Sequence, residues 1–197
     1  MPLGRPRAFD PDKALEAAMR VFWAKGYEGA SLPELTKAMG INKPSMYAAF
    51  GNKEQLFKKV MDRYAQGPAC HVAAALLEPT ARRVAEALLA GAVKLLTSPH
   101  NPRGCLAVQG ALACGDGAKG VREALADRRG EAEKLIRKRL ERAKAEGDLP
   151  PDSRPADLAA FLATVSHGLS VQAAGGAGRA ELKRVAALAL AAWPTAA

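Results

Sequence analysis

The sequence predicts an all-α protein of about nine helices. Alanine and leucine are abundant while aromatics make up only 5% of the chain, a composition that favours helix over strand. Apolar residues recur at helical spacing along most of the 197 residues. Capping residues followed by proline or glutamate stand in front of several of these runs and mark where helices begin.

Residues 31–50, SLPELTKAMGINKPSMYAAF, say most about the work of the chain. Ser31 and Glu34 form a capping box, and Leu32, Leu35 and Met39 then make one apolar stripe on a short helix. Gly40 supplies the left-handed residue that ends it, and Pro44 suits the first turn of a second helix. In that second helix Met46 and Phe50 point one way, which leaves Lys43, Ser45 and Tyr47 outward, with Pro44 beside them. Two short helices joined by a glycine turn, the second with a basic and hydroxylated face, read as a helix-turn-helix. Lysine neutralises phosphate, and hydroxyls and helix N-termini offer protons to its oxygens. A plain helical hairpin is the competing reading of this stretch alone.

In chain order, residues 1–9 hold Gly4-Arg5-Pro6-Arg7, too polar and proline-rich to fold alone. Arg5 and Arg7 are expected to form a basic arm for the minor groove, with a solvated tail as the alternative. Asp10-Pro11 caps and opens the first helix, whose stripe is Leu15, Ala18, Met19 and Phe22 and which Gly26 ends. Asn52-Lys53-Glu54 opens the fourth, with Leu56, Phe57, Val60 and Tyr64 at helical spacing. Lys53 there opposes the helix dipole, and a phosphate at that end reverses the sign. Gln66-Gly67-Pro68 marks the expected boundary between a DNA-binding domain, 10–66, and a second domain, 67–197.

The second domain reads as a short helix near 69–77, a helix opened by Pro79-Thr80, a compact apolar segment from Gly104, and a long helix over 121–146. In the long helix Leu125, Ala132, Leu135, Ile136 and Leu140 are expected to face inward, with alternating arginine and glutamate outside. The last two helices, 156–173 and 179–193, are apolar on more than one side and need cover on more than one side. Packing within the monomer, or an intermolecular four-helix bundle forming a homodimer, meets that need.

The formal charge of +9 and a pI near 9.7 suit a polyanionic partner, nucleic acid or an anionic surface. Three cysteines and no signal-like apolar stretch at the start argue for a reducing, cytoplasmic setting, and no run is long and apolar enough to span a membrane.

Residues 4–64 together resemble the N-terminal domain of the TetR/AcrR family of transcriptional regulators. The likeness runs through the basic arm, the segment from Phe22 to Tyr27, the Ser31 cap, Met39-Gly40-Ile41, Tyr47, Phe50 and Lys53. It implies an N-terminal three-helix DNA-binding domain and a C-terminal helical ligand-binding and dimerisation domain. It implies further that Lys43, Pro44, Ser45 and Tyr47 face a double-stranded DNA operator while Ser31 and Lys53 hold its phosphates. A small molecule entering an apolar pocket between the C-terminal helices is expected to move the fourth helix and respace the two heads. The operator of such a dimer is roughly palindromic. A non-specific architectural DNA-binding protein, or an enzyme working in the C-terminal cavity, are the alternatives.

Other signals carry less. Residues 115–120, GDGAKG, match G-x-G-x-x-G, but no strand precedes them, so they read as an inter-helix loop. On one helix Cys105 and Cys114 would stand roughly 13 Å apart along the axis, too far for a disulfide or a shared metal. Cys70, His71, His100 and His167 show no metal-ligand spacing, so no metal or cofactor is expected, and no nucleophile-base or paired-carboxylate set can be assembled. A thiol redox sensor is a minor alternative. Pocket candidates are His167 with Phe161 and Val165 on its helix, and Cys105 and Gln109 as polar neighbours.

Overall fold

A computed structural model describes residues 9–112 and 118–194, so Arg5, Arg7, Cys114 and loop residues 115–117 lie outside it. The described residues hold ten helical segments and no strand, which is the all-α class expected. The order is α1 (Pro11–Gly29), α2 (Leu32–Met39), α3 (Lys43–Phe50), α4 (Lys53–Gln66), α5 (His71–Ala75), α6 (Ala81–Leu96), α7 (Leu106–Leu112), α8 (Lys119–Ala145), α9 (Pro155–Ala174) and α10 (Arg179–Ala191).

Local chemistry explains the starts. The Asp10 carboxylate accepts from the amides of Asp12 and Lys13, with Pro11 behind it in the first turn. Gly26 interrupts α1 with φ 72° and ψ 179°, and one further turn carries Tyr27 back onto the core. Ser31 with Glu34, and Asn52 with Gln55, are complete capping boxes. Thr80 caps α6.

Two apolar clusters hold the chain together. One gathers Phe22 and Trp23 of α1, Leu35 of α2, Met46 and Phe50 of α3 and Phe57 and Tyr64 of α4, but it also takes in Leu106 of α7 and Val121 and Leu125 of α8. The other lies among α6, α8, α9 and α10 around Leu88, Leu89, Leu140, Leu162 and Leu182. The first core therefore spans the expected boundary near residue 67. A buried hydrogen bond, Trp23 Nε1–H to the Gly104 carbonyl at 2.8 Å, crosses it too.

The long helix differs from expectation at two positions. Leu135 borders the internal cavity yet is 54% exposed, whereas Ile136 and Leu140 are buried. Arg139 is buried, and its Nη2 donates to the carbonyls of Glu78 and Pro79, which closes the turn before α6. A periodic pattern of charges cannot anticipate an arginine recruited to loop carbonyls.

Gly91 lets α5 lie close on α6: a Cβ there would stand 2.6 Å from Cδ2 of the His71 ring. Gly130, inside α8, has nothing within 4 Å of such a Cβ. Gly91→Ala should therefore lower stability by about 1–3 kcal/mol through overpacking, while Gly130→Ala should raise it by about 0.5–1 kcal/mol. Denaturant unfolding of the two variants checks the opposite signs, and equal midpoints would contradict the close approach of α5.

Candidate DNA-binding head and effector cavity

The head presents α3 on its outside. Met46 is fully buried and Phe50 nearly so, whereas Lys43 and Pro44 are exposed, Tyr47 is 47% exposed and Ser45 is half-buried. The Asn42 side chain accepts the Ser45 amide at 2.8 Å and so fixes where α3 begins. That cap was not anticipated, although Asn42 followed by lysine and proline is a legible start signal. Gly40 adopts φ 68° and returns its amide to the end of α2, setting the turn between the two helices.

Ser31 and Lys53 are already engaged. The Ser31 hydroxyl donates to Glu34 Oε2 at 2.9 Å and accepts the Glu34 amide at 3.3 Å. The Lys25 ammonium beside Glu34, and then the Ser31 hydroxyl, hold that carboxyl down at about 2. The Lys53 ammonium sits 4.5 Å from the centroid of the Tyr27 ring. Burial lowers its pKa, and Glu28 opposes the shift. Tyr27 in turn stacks on Phe22 and meets Phe57 edge-on, so Lys53 is aimed from the aromatic core of the head.

A cavity of ≈ 350 Å³ lies behind α4. Its walls come from α4, α5, α6, the start of α7, α8 and α9, and include many alanines. Cys105 and His167 line it. Gln109, Phe161 and Val165 do not. Gln109 turns to α9, with Nε2 3.5 Å from the Ser170 carbonyl, and folds under Gly104, where a Cβ would press on it. Phe161 is 37% exposed on the outer side of α9, and Val165 packs into the body core. Helix phase, set by tertiary packing, decided these three.

Sequence reasoning missed Met61, Tyr64, His71, Arg128 and Arg129 as wall residues. Tyr64 was legible only as an apolar-face position of α4. Its hydroxyl donates to Cys105 Sγ at 3.3 Å, and its ring meets Trp23 edge-on at 4.9 Å. Arg128 on the wall forms an ion pair with Asp62 of α4, and Arg129 donates to the Ala107 carbonyl at 2.8 Å. Arg63 of α4 binds Glu16 of α1 at 3.0 Å. One helix, α4, thus touches the cavity on one side and the head on the other.

The described residues contain no cluster of groups able to hold a metal ion, and no helix among them is long and apolar enough to cross a membrane. A helix-turn-helix head on a helical body with an apolar cavity defines the class of one-component DNA-binding regulators. Residues 14–60 match the family model described as bacterial regulatory proteins, tetR family, and residues 80–187 match the tetracyclin repressor-like C-terminal domain. The chain belongs to the TetR family and is a DNA-binding transcriptional regulator.

It is 34% identical over 193 residues to the HTH-type transcriptional repressor ComR of Escherichia coli strain K12, covering 97% of this chain and 92% of that one. It is 38% identical over 110 residues to the repressor BdcR of the same organism, about half of each chain. Among solved structures, a cysteine-substituted form of the TetR family regulator CifR, complexed with 26 bp double-strand operator DNA, superposes with a TM-score of 0.91. That match is 48% identical and covers 96% of this chain and 100% of CifR.

Both cavity histidines have lowered pKa values: burial acts first on each, with Arg129 adding to it at His167, while the Pro68 carbonyl opposes at His71 and Glu133 at His167. A histidine held neutral in the fold protonates more readily once unfolded. Stability is therefore full above about pH 6.5 and falls as the pH drops below it toward the folded values. Urea midpoints at about pH 7.5 and about pH 5.5 should differ in this sense. The double variant His71→Gln, His167→Gln should flatten the difference, and an unchanged difference would show that other groups cause it.

Proposed function

We propose that this chain is a homodimeric repressor that occupies a roughly palindromic operator and leaves it when a small molecule fills the cavity behind α4. One observation carries the reading: α3 buries Met46 and Phe50 and turns Lys43, Pro44 and Tyr47 to solvent, as a helix entering a major groove must. Lys43 neutralises phosphate, Ser45 and Tyr47 hydroxyls bond phosphate or base edges, and Pro44 makes van der Waals contact. Ser31 and Lys53 flank the recognition helix toward the backbone, and Arg5 and Arg7 reach the adjacent minor groove from the arm, 1–9. The DNA-binding domain is 10–66 and the ligand-binding and dimerisation domain 67–197.

The relatives ComR and BdcR are named as repressors, not enzymes, and the CifR structure holds operator DNA, which supports this direction of action. The outer face of α9 and α10 supports dimerisation. Phe161, Val171, Val185 and Leu188 are exposed there, Leu188 to 73%, on helices whose other faces already fill the body core. A second copy covers that face as a four-helix bundle across a two-fold axis, and this spaces two copies of α3 on successive major grooves. The ligand must favour the respaced state, since equal affinity for both states shifts nothing. Its setting is the cytoplasm.

Fluorescence anisotropy on the DNA upstream of its own gene tests both halves. Tyr47→Ala should weaken specific binding by about 1 kcal/mol or more with the helical circular dichroism unchanged. Leu188→Glu should yield monomers by light scattering and lose operator affinity. Full affinity in Tyr47→Ala contradicts the facing of α3, and a persistent Leu188→Glu dimer contradicts the proposed interface.

A further inference from the structure

The cavity carries information about its occupant. Its surface is mainly apolar, and its charged side chains balance and are largely engaged. Arg128 is paired with Asp62 and Arg129 with the Ala107 carbonyl, and the walls hold two glutamates, Glu131 and Glu133, for these two arginines. His71 and His167 are held toward their neutral forms by burial. The formal charges of the lining side chains sum to zero with both histidines neutral, so the site suits a neutral molecule.

One donor stands out. Tyr64 is 2% exposed, lines the cavity and gives its hydroxyl proton to the Cys105 sulfur at 3.3 Å. A thiol sulfur is a weak acceptor, so a carbonyl or ether oxygen in the cavity is the stronger partner for that proton. Burial, and then the neighbouring thiol, push the phenol's ionisation well above its ordinary range, so it offers a proton and never a charge near neutral pH.

Resting on the cavity as the effector site, we propose that the effector is an uncharged, mostly apolar molecule with one hydrogen-bond acceptor, and that Tyr64 recognises it by turning its hydroxyl from Cys105 to that acceptor. The exchange bears on the head because of where the thiol sits. Cys105 follows Gly104, whose carbonyl holds Trp23 of α1 at 2.8 Å, and the Cys105 amide is fixed to Ser170 of α9 at 2.8 Å. Tyr64 itself belongs to α4 and leans on Trp23. Withdrawing the hydroxyl removes its bond to the Cys105 thiol, one of the contacts between α4 and this turn, while the turn stays held to α1 and α9. Tyr64 is thus both the specificity-determining contact and the point at which occupancy loosens α4.

The probes are 2-acetylnaphthalene and 2-ethylnaphthalene, which share a skeleton and differ by a carbonyl in place of a methylene. Titration calorimetry on the full-length protein should show the ketone binding wild type about tenfold tighter. In Tyr64→Phe, which keeps the ring against Trp23, the two should bind within about twofold of each other. In Cys105→Ala, where the rival acceptor is gone, the preference for the ketone should widen, and this variant serves if Tyr64→Phe does not fold. A preference that survives in Tyr64→Phe, or fails to widen in Cys105→Ala, overturns the role of the hydroxyl. Equal binding of both probes to wild type overturns the acceptor requirement yet leaves the cavity as a ligand site. Failure of either to bind rejects this ligand class and counts against the cavity reading itself.

Discussion

The indole N–H of Trp23, buried against the carbonyl of Gly104, ties the first helix of the head to the turn that opens α7. Breaking it strands a buried donor and acceptor, at a cost of about 1–3 kcal/mol. Around this bond the rings of Phe22, Tyr27, Phe57, Trp23 and Tyr64 meet edge to face or stacked, with centroids 4.9 to 6.1 Å apart. The head is therefore built on a core that also contains Leu106, Val121 and Leu125 from the body. Packed cores respond to displacement by switching between arrangements, not by bending smoothly. Motion of α4 past this cluster must be felt at α1, on which α2 packs.

Alanine plays two parts in the molecule. As the strongest helix former it makes the class of fold legible. At wall positions such as Ala65, Ala69, Ala92, Ala132 and Ala163 it also leaves the space that larger side chains would fill, and the cavity is the result. The same economy of side chains leaves α9 and α10 with apolar residues facing out and, among the described residues, no helix covering them. Cavity and exposed apolar face are thus two outcomes of one composition: many short side chains inside, a few larger apolar ones outside.

The head was legible because its determinants are local. Asp10, Ser31 and Asn52 act on amides two or three residues away, and Gly40 acts on its own backbone, so a linear reading finds them. The body was legible in its helices but not in its cavity. His167 and Cys105 lie on the wall, whereas Gln109 turns to Ser170, and Phe161 and Val165 stand roughly half a turn around α9 from Ala163, Ser166 and His167. Tyr64 reads along the chain as one more apolar position, and only the approach of Cys105, forty-one residues later, makes it a polar contact. Leu135 and Arg139 exchanged their expected places for the same reason: partners distant in sequence set burial.

The central claim is that the head and the cavity turn share one core. Amide hydrogen exchange on the intact protein, free and bound to operator DNA, measures this directly. A shared core predicts slowed exchange on DNA binding not only across α2 and α3 but also through residues 104–108 beside Trp23. Protection confined to the head, with residues 104–108 unchanged, would contradict it.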